Sequence, residues 1–295
     1  MVGKNGEAVH VLVFGAGGQL GQALVGILGS RFTVQGLVHA DCDLTDSTGI
    51  RGAIAATKPA IVINAAAYTA VDRAEDEIER AYATNAVAPG VMAKEARRIG
   101  AIFVHYSTDY VFDGKSQIPY REEDPTGPLG VYGSSKREGE ERVVAAGGTF
   151  YVLRTAWLYA RRGRNFLTTM ERLGRERSEA GTPLTVVSDQ HGSPTSATAL
   201  ATATEHILTH AALRDRGGIY HATCRGETTW YGFAQAIVAG LRIPVEVQPI
   251  FTADFPTKAR RPTYSVLSGA RLQEAFGIHM PTWQDALAVC LKAGS

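Results

Sequence analysis

The sequence predicts an α/β protein with a doubly wound parallel sheet and a smaller C-terminal substrate-binding region. The first observation is that short apolar runs alternate with helix-like segments over the first half of the 295-residue chain. The second is that the first apolar run ends in a glycine-rich turn that opens a helix. The third is the composition, because 45% hydrophobic and 20% charged residues are typical of a globular chain with a sizeable core.

Five apolar runs predict the strands of the sheet, because parallel strands covered on both faces carry few polar residues. These strands are expected over Val9–Phe14, Thr33–Val38, Ala60–Asn64, Ala101–Tyr106 and Phe150–Leu153. The helices between them are expected over Leu20–Leu28, Ser47–Thr57, Val71–Ile99 and Tyr132–Val144. Asp46 and Ser47 suit the N-cap of the second helix. The third segment is long enough for two helices, with an interruption near Pro89.

The pattern loosens after about residue 155, so we expect one region over residues 1–155 and another over 156–295. The boundary is soft because strands can return from the second region to the first. The later helices are expected over Asn165–Arg177, Ser196–His210, Thr229–Leu241, Ser268–Phe276 and Trp283–Leu291. The later strands are expected over Leu184–Val187 and Ile219–Ala222.

Charge and cysteine content exclude several classes of protein. Lys and Arg number 30 against 29 Asp and Glu, whereas a nucleic-acid binder would show a basic excess. Cys42, Cys224 and Cys290 make neither a disulfide framework nor a CxxC metal pair, which fits a reducing, cytoplasmic location. The longest largely apolar stretch, Ala60–Val71, is shorter than the ~20 residues of a membrane span. The polar start, Met1–His10, predicts no secretion signal.

Gly15, Gly18 and Gly21 follow the first strand and open a helix, which is the context that a dinucleotide-binding turn requires. The first glycine permits a tight turn, the second lets the backbone approach a pyrophosphate, and the third lets the helix pack closely. The helix N-terminus then presents N–H groups to the phosphates. The alternative is a glycine-rich turn without a ligand.

His39 stands at the end of the second strand, where a basic residue favours a 2′-phosphate and an acidic one the ribose hydroxyls. We therefore expect NADPH as the cofactor, with NADH tolerated. The alternative is that His39 is a solvated loop residue.

Tyr132 and Lys136 lie four residues apart, so a helix places both on one face. A nearby ammonium is expected to lower the pKa of a phenol, which can then donate a proton to an alkoxide formed from a carbonyl. The alternative is an exposed helix face.

The glycine turn, Asn64–Ala67 and the Tyr132/Lys136 pair together resemble the extended short-chain dehydrogenase/reductases, which implies a Rossmann-type fold and a nucleotide-sugar substrate. Five longer motifs resemble, more narrowly, the branch that reduces the C4 ketone of dTDP-4-dehydro-β-L-rhamnose to dTDP-L-rhamnose. These motifs are Asn64–Asp72, His105–Asp113, Arg154–Tyr159, Asp189–Thr195 and Ala259–Pro262.

The resemblance implies a role for individual residues. Tyr132 would be the proton donor, Lys136 would bind the nicotinamide ribose, Thr108 would hydrogen-bond the sugar O4, and Asn85 would help hold Lys136 through water. The implied cofactor-binding residues are Gly15, Gly18, Gln19, Leu20, Gly21, His39, Asp43, Leu44, Ala65, Ala66, Ala67, Tyr106, Tyr132 and Lys136. The implied substrate-binding residues are Thr108, Asp109, Trp157, Asn165, Arg260 and Arg261.

Four of the substrate residues have a plain alternative. Trp157 can fill core, Asp109 can be a turn residue, and Arg260 and Arg261 can be solvated loop charges.

Some relatives form magnesium-bridged dimers with an acidic ligand on the first helix, but Ala23 stands at that position and Gln22 beside it. We therefore expect no metal, and a monomer or a metal-independent dimer. Two alternative functions remain open. One is a nucleotide-sugar epimerase or dehydratase, because Asp109 directly follows Thr108. The other is a non-catalytic regulatory subunit on the same fold.

Overall fold

The apolar runs form strands and the segments between them form helices in the computed structural model, which describes residues 9–292. The strands are β1 (His10–Phe14), β2 (Thr33–Leu37), β3 (Ile61–Asn64), β4 (Ile102–Thr108), β5 (Phe150–Thr155), β6 (Leu158–Tyr159), β7 (Leu184–Val187), β8 (His191–Gly192), β9 (Thr195–Ser196), β10 (Gly218–His221), β11 (Thr228–Thr229) and β12 (Val247–Ile250). The α-helices are α1 (Gln19–Leu28), α2 (Ser47–Thr57), α3 (Val71–Ala74), α4 (Ile78–Tyr82), α5 (Ala88–Arg98), α6 (Val131–Ala146), α7 (Phe166–Glu179), α8 (Ala197–Thr209), α9 (Trp230–Gly240), α10 (Ala270–Phe276) and α11 (Trp283–Lys292). Most of the segment Met1–His10, for which no secretion signal is expected, lies outside the described residues.

The central sheet has six strands in the order β10-β5-β4-β3-β1-β2, and every neighbouring pair is parallel. The chain moves outward from β1 to β2 and then crosses to β3 on the other side of β1. Ligands of open parallel sheets bind at such a switch point, beyond the carboxyl ends of the strands. The predicted doubly wound α/β fold is confirmed.

Helices cover both faces of the sheet, because alternate residues of each strand point to opposite sides. Val11 and Val13 of β1 pack toward α1 and α8, whereas Leu12 and Phe14 pack toward α2, α5 and α6. The strand β10 and the helix α8 both come from the second half of the chain. The second half of the chain therefore supplies one strand of the central sheet and one of the helices that cover it.

The segment Val71–Ile99 is divided differently from the expectation. It contains α3, α4, a π-helical turn over Ala83–Val87 and α5, with breaks at Glu75–Glu77 and at the π turn. Pro89 does not interrupt the helix, because it lies in the first turn of α5, where its missing N–H has no helical partner to lose. The Asp46 N-cap is confirmed, since its carboxylate accepts from the Thr48 N–H at 2.9 Å.

The C-terminal region has its own apolar core, in which Tyr159, Leu167, Phe233 and Trp283 are buried between α7, α9, α11 and the parallel pair β7 and β12. Within residues 9–292, no helix combines the length and apolar character needed to cross a membrane.

Candidate active site

A cleft of about 1030 Å³ lies beyond the carboxyl ends of the central strands, between the sheet and the C-terminal region. It brings together most of the residues that the sequence singled out. These are Gly15, Gly18, Gln19, Leu20, His39, Asp43, Leu44, Ala65, Ala66, Ala67, Tyr106, Thr108, Asp109, Tyr132, Lys136 and Trp157. Five predicted site residues are not part of the lining, namely Gly21, Asn85, Asn165, Arg260 and Arg261.

The three glycines of the turn after β1 have different roles. Gly15 has a φ of +81°, and a Cβ there would lie 2.7 Å from Ala66. A Cβ on Gly21 would lie 2.0 Å from the Gly15 carbonyl oxygen, so this glycine lets α1 approach the turn. A Cβ on Gly18 would meet only that same oxygen, at 3.3 Å, and Gly18 lines the cleft. Gly15 and Gly21 therefore build the turn, while Gly18 keeps it open to a ligand.

The N-terminus of α1 fits an anionic group. Its first helical hydrogen bond runs from the Gln22 N–H to the Gly18 carbonyl, at 2.9 Å. The N–H groups of Gln19, Leu20 and Gly21 come before that bond and point out of the helix end, where the helix dipole is positive. No acidic residue stands in the first turn of α1. This end of the cleft therefore has the donors that a pyrophosphate needs.

The loop after β2 forms the outer end of the cleft. Asp43 accepts from both the N–H and the hydroxyl of Thr45 at 2.9 Å, and the first of these bonds is the main reason why its pKa is lowered. Leu44 is buried beside it, and His39 is exposed at the rim. An apolar residue flanked by a carboxylate and an imidazole suits a nucleoside more than a purely apolar ligand.

Thr108, Asp109 and Tyr132 meet at the inner end of the cleft. The Thr108 hydroxyl donates to Asp109 Oδ1 at 3.0 Å. Burial raises the pKa of Asp109 to about 6, although the hydroxyls of Ser265 and Thr108 lower it. Its second oxygen, Oδ2, is buried without a hydrogen-bond partner among residues 9–292. A buried carboxyl oxygen with no partner is suited to a polar group of a ligand.

The expectation that Lys136 lowers the pKa of Tyr132 is wrong for this arrangement. Burial raises the pKa of Tyr132 to about 12, and the Thr108 hydroxyl is the group that opposes this rise. The Lys136 amine points elsewhere, because it donates to the Tyr106 carbonyl at 2.6 Å and lies 3.2 Å from His105 Nε2. Burial lowers the pKa of Lys136 to about 8.

Asn85 lies in the π turn, behind the cleft wall. Its Oδ1 accepts from the Tyr68 N–H at 2.8 Å, and its Nδ2 donates to the Tyr68 carbonyl and the Ser135 hydroxyl, both at 3.1 Å. It therefore ties the loop after β3 to the residue before Lys136. A water bridge from Asn85 to Lys136 stays a prediction.

Trp157 is held in a strained position at the far wall of the cleft. Its φ is +48°, a left-handed conformation that is unusual for a bulky residue. Its ring stacks on Trp230 with 3.5 Å between centroids, and a Cβ on Gly192 would lie 2.3 Å from the indole. Trp230 also lines the cleft. The sequence analysis missed Trp230, because only the fold brings α9 beside β6.

The remaining substrate candidates lie outside the lining. Arg261 forms a two-point ion pair with Asp72, at 2.8 and 3.0 Å, and Arg260 is exposed. Asn165 caps α7 and donates to Gln19 Oε1 at 2.8 Å. The same contact brings the loop before α7 over the glycine turn, so that Arg162 and Arg164 line the cleft. No periodicity or motif marked these two arginines.

Residues 9–292 contain no group of three or more His, Cys, Asp or Glu side chains placed to hold a metal ion. Ala23 of α1 packs against the core on the α8 side of the sheet.

Comparisons with known proteins cover nearly the whole chain. A family described as "RmlD substrate binding domain" matches residues 9–295. The chain is 44% identical to a dTDP-4-dehydrorhamnose reductase of Burkholderia thailandensis, over 96% of this chain and 98% of that one. Among solved structures, a dTDP-4-dehydrorhamnose reductase from Clostridium acetobutylicum has a TM-score of 0.91 at 38% identity, covering 97% and 99% of the two chains. A dTDP-4-dehydrorhamnose reductase from Bacillus anthracis, in complex with NADP, has a TM-score of 0.91 at 34% identity, with the same coverage.

Proposed function

This chain belongs to the family described by the RmlD substrate binding domain, and we propose that it reduces the C4 ketone of dTDP-4-dehydro-β-L-rhamnose to give dTDP-L-rhamnose, with NADPH as the reductant. The assignment rests on one arrangement. Thr108, Tyr132 and Lys136 meet in the same cleft as a glycine turn and a helix N-terminus that fit a pyrophosphate.

The half of the cleft that we call the cofactor half comprises the glycine turn, the loop after β2 and Ala65–Ala67. The N–H groups at the start of α1 would hold the pyrophosphate, Asp43 and Leu44 the adenosine, and Lys136 the nicotinamide ribose. His39 at the rim favours the 2′-phosphate of NADPH, and NADH would be tolerated. NADPH, when bound, supplies the hydride.

The half that we call the sugar half comprises Thr108, Asp109, Trp157 and Trp230. Tyr132 lies at the junction of the two halves. With a pKa of about 12, its phenol stays protonated at neutral pH and can donate to the developing alkoxide at O4. The Thr108 hydroxyl would hydrogen-bond the same oxygen. Arg162 and Arg164 would offer their guanidinium groups to a diphosphate, a task for which arginine is chemically suited.

Epimerases and dehydratases of the same superfamily would regenerate their cofactor, whereas a reductase consumes it. A non-catalytic subunit would not need a buried Thr108–Asp109 pair and a buried Lys136 in one cleft. We therefore favour the reductase. We also propose a cytoplasmic location, consistent with free Cys42, Cys224 and Cys290, and a monomer or a metal-independent dimer.

The decisive experiment follows NADPH absorbance with 4-keto sugars linked to dTDP, UDP and GDP. We expect one NADPH oxidised per dTDP-sugar reduced, with slower turnover of the other two nucleotides. Conversion of the sugar without consumption of NADPH would instead support an epimerase or dehydratase. An absence of turnover with all three would support the non-catalytic alternative.

A further inference from the structure

A buried chain of polar groups leads from β3 through β4 to Lys136. Asn64 Nδ2 lies 3.1 Å from His105 Nδ1, and His105 Nε2 lies 3.2 Å from the Lys136 amine. All three side chains are at most 2% exposed. Asn64 and His105 do not line the cleft, so the protons that they share with each other and with Lys136 have to be consistent with one another.

The orientation of the Asn64 amide is fixed by the backbone. Its Oδ1 accepts from the Ala66 N–H at 3.1 Å, so its Nδ2 is the atom that faces His105. A nitrogen that only donates requires an acceptor, and His105 Nδ1 is therefore unprotonated. The hydrogen of the neutral imidazole then sits on Nε2, the atom that faces Lys136.

A charged Lys136 does not fit this arrangement. Its ammonium has three donors and no acceptor, so one of its N–H groups would face the Nε2–H of His105, which is also a donor. The uncharged amine fits, because its lone pair accepts from the Nε2–H while one of its own hydrogens goes to the Tyr106 carbonyl. The imidazolium form of His105 fits no better, since it would face donors on both sides. Burial is the main reason why the pKa of His105 is held well below its usual range.

We propose that His105 is a positioning residue that binds the uncharged amine of Lys136 through its Nε2–H, so that protonation of Lys136 releases it toward the cofactor half of the cleft. The proposal rests on the proposed function, in which the charged lysine binds the nicotinamide ribose. His105 touches neither cofactor nor sugar in this scheme and acts only through Lys136.

The other charged groups around Lys136 do not supply this effect. Glu140, one turn further along α6, raises the pKa of Lys136, but its carboxylate is engaged by Arg154 at 2.7 and 2.8 Å. On the cleft side stand Tyr132 and Asp109, and neither contributes to the shift. From the side of the sheet the amine contacts the Tyr106 carbonyl and His105, and His105 is the titratable group of the two.

The first test reads the tautomer directly and needs no variant. Nitrogen NMR of protein labelled at histidine, without cofactor, should show neutral His105 with its hydrogen on Nε2 from about pH 6 to 9. This interval of about 3 units spans the ordinary pKa of histidine and the lowered pKa of Lys136. The His105→Gln variant assigns the signal. An Nδ1–H tautomer or an imidazolium would overturn the proposal, and neither result depends on turnover or on the identity of the sugar.

The second test is the pH profile of kcat/KM. Gln at position 105 offers an amide oxygen to the ammonium, so His105→Gln should move the alkaline limb upward by about one unit. The acid limb should stay in place. His221→Gln is the matched control, because His221 is an equally buried histidine on the neighbouring edge of the sheet that contacts Arg154 and the Tyr120 carbonyl. An alkaline limb that stays in place in His105→Gln, or moves equally in the control, would contradict the proposal.

Discussion

The cofactor half of the cleft is formed by backbone groups and small residues at the ends of β1, β2 and β3, whereas the sugar half depends on large side chains from distant segments. Gly15 leaves no room for a Cβ beside Ala66, and no non-glycine residue of this half has a positive φ. Trp157, by contrast, adopts a φ of +48° and is held between Trp230 and Gly192. We propose that the cofactor is bound mainly by the geometry of the fold, and that the strained packing at Trp157 serves recognition of the sugar.

Tyr132 joins the two halves, so its substitution should produce the largest effect. Tyr132→Phe should reduce kcat by about 10²–10⁴-fold, because general acid catalysis is lost while the ring is kept. NADPH affinity, measured by calorimetry, should be unchanged. Turnover close to that of the wild type would remove Tyr132 from the mechanism.

Substitution of Asp109 tests whether burial of its carboxylate in the sugar half lowers the free energy of unfolding. Its pKa in the folded protein, about 6, lies above the 3.8 of the unfolded chain, so folding binds a proton between these values. Stability should therefore fall as pH rises from 3.8 to about 6, and the loss should persist above that range. Asp109→Asn should restore up to about 3 kcal/mol at neutral pH and nothing at lower pH, where both states are protonated.

Urea unfolding at acid and neutral pH measures this difference. Asp113→Asn is a control of opposite sign, because hydrogen bonds led by the Lys115 N–H lower the pKa of Asp113. That variant should be destabilised at neutral pH rather than stabilised. A neutral-pH loss of stability in Asp109→Asn would mean that the buried carboxylate is stabilising.

Gly18 and Gly21 separate ligand binding from folding within the cofactor half. Gly21→Ala should destabilise the fold by about 2 kcal/mol, because the new methyl collides with a backbone oxygen. Gly18→Val should fold almost normally and bind NADPH about tenfold more weakly or worse, since its side chain enters the cleft. Calorimetry and thermal unfolding of both variants distinguish these outcomes. Unchanged affinity in Gly18→Val would contradict the placement of the pyrophosphate.

Substitution of Trp230 should weaken binding of the sugar and leave binding of the cofactor unchanged. Trp230→Leu removes the stack on Trp157, and such aromatic pairs contribute about 0.5–1.5 kcal/mol. KM for the dTDP-sugar should rise by about three- to tenfold, with the NADPH dissociation constant unchanged. Tyr231→Leu, at the next position of α9, should have no such effect, because Tyr231 does not line the cleft. Equal effects of Trp230→Leu on both ligands would mean that the halves are coupled.

Magnesium should have no effect on activity or on the association state. Ala23 supplies a methyl group where magnesium would need an oxygen ligand. EDTA treatment followed by sizing chromatography and the reductase assay should change neither the association state nor the activity. Recovery of a lost dimer or of lost activity on adding Mg²⁺ would show that other carboxylates bind the metal.

Local sequence patterns predicted individual elements but not the contacts between distant segments. The strand ends and the glycine turn could be placed, because periodicity and turn chemistry act over a few neighbouring residues, whereas Leu44 was implied by the family resemblance. The pairing of Arg261 with Asp72 could not, since it joins residues far apart in the chain and withdraws a guanidinium that looked available. Trp230, Arg162 and Arg164 carry no local signal at all. The orientation of Lys136 toward β4 depends on burial, which spacing along a helix does not report.

The position of β10 at the edge of the sheet has a consequence for synthesis on the ribosome. β5 ends at Thr155, but its outer neighbour begins only at Gly218. While the nascent chain is shorter than that, β5 presents an open edge whose Tyr151 and Leu153 lack the packing of Tyr220 and Ala222. Unpaired edges of this kind promote aggregation and invite chaperones. A fragment cut after Thr155 should therefore be insoluble when expressed alone, even though it contains the whole glycine turn and the Tyr132/Lys136 pair.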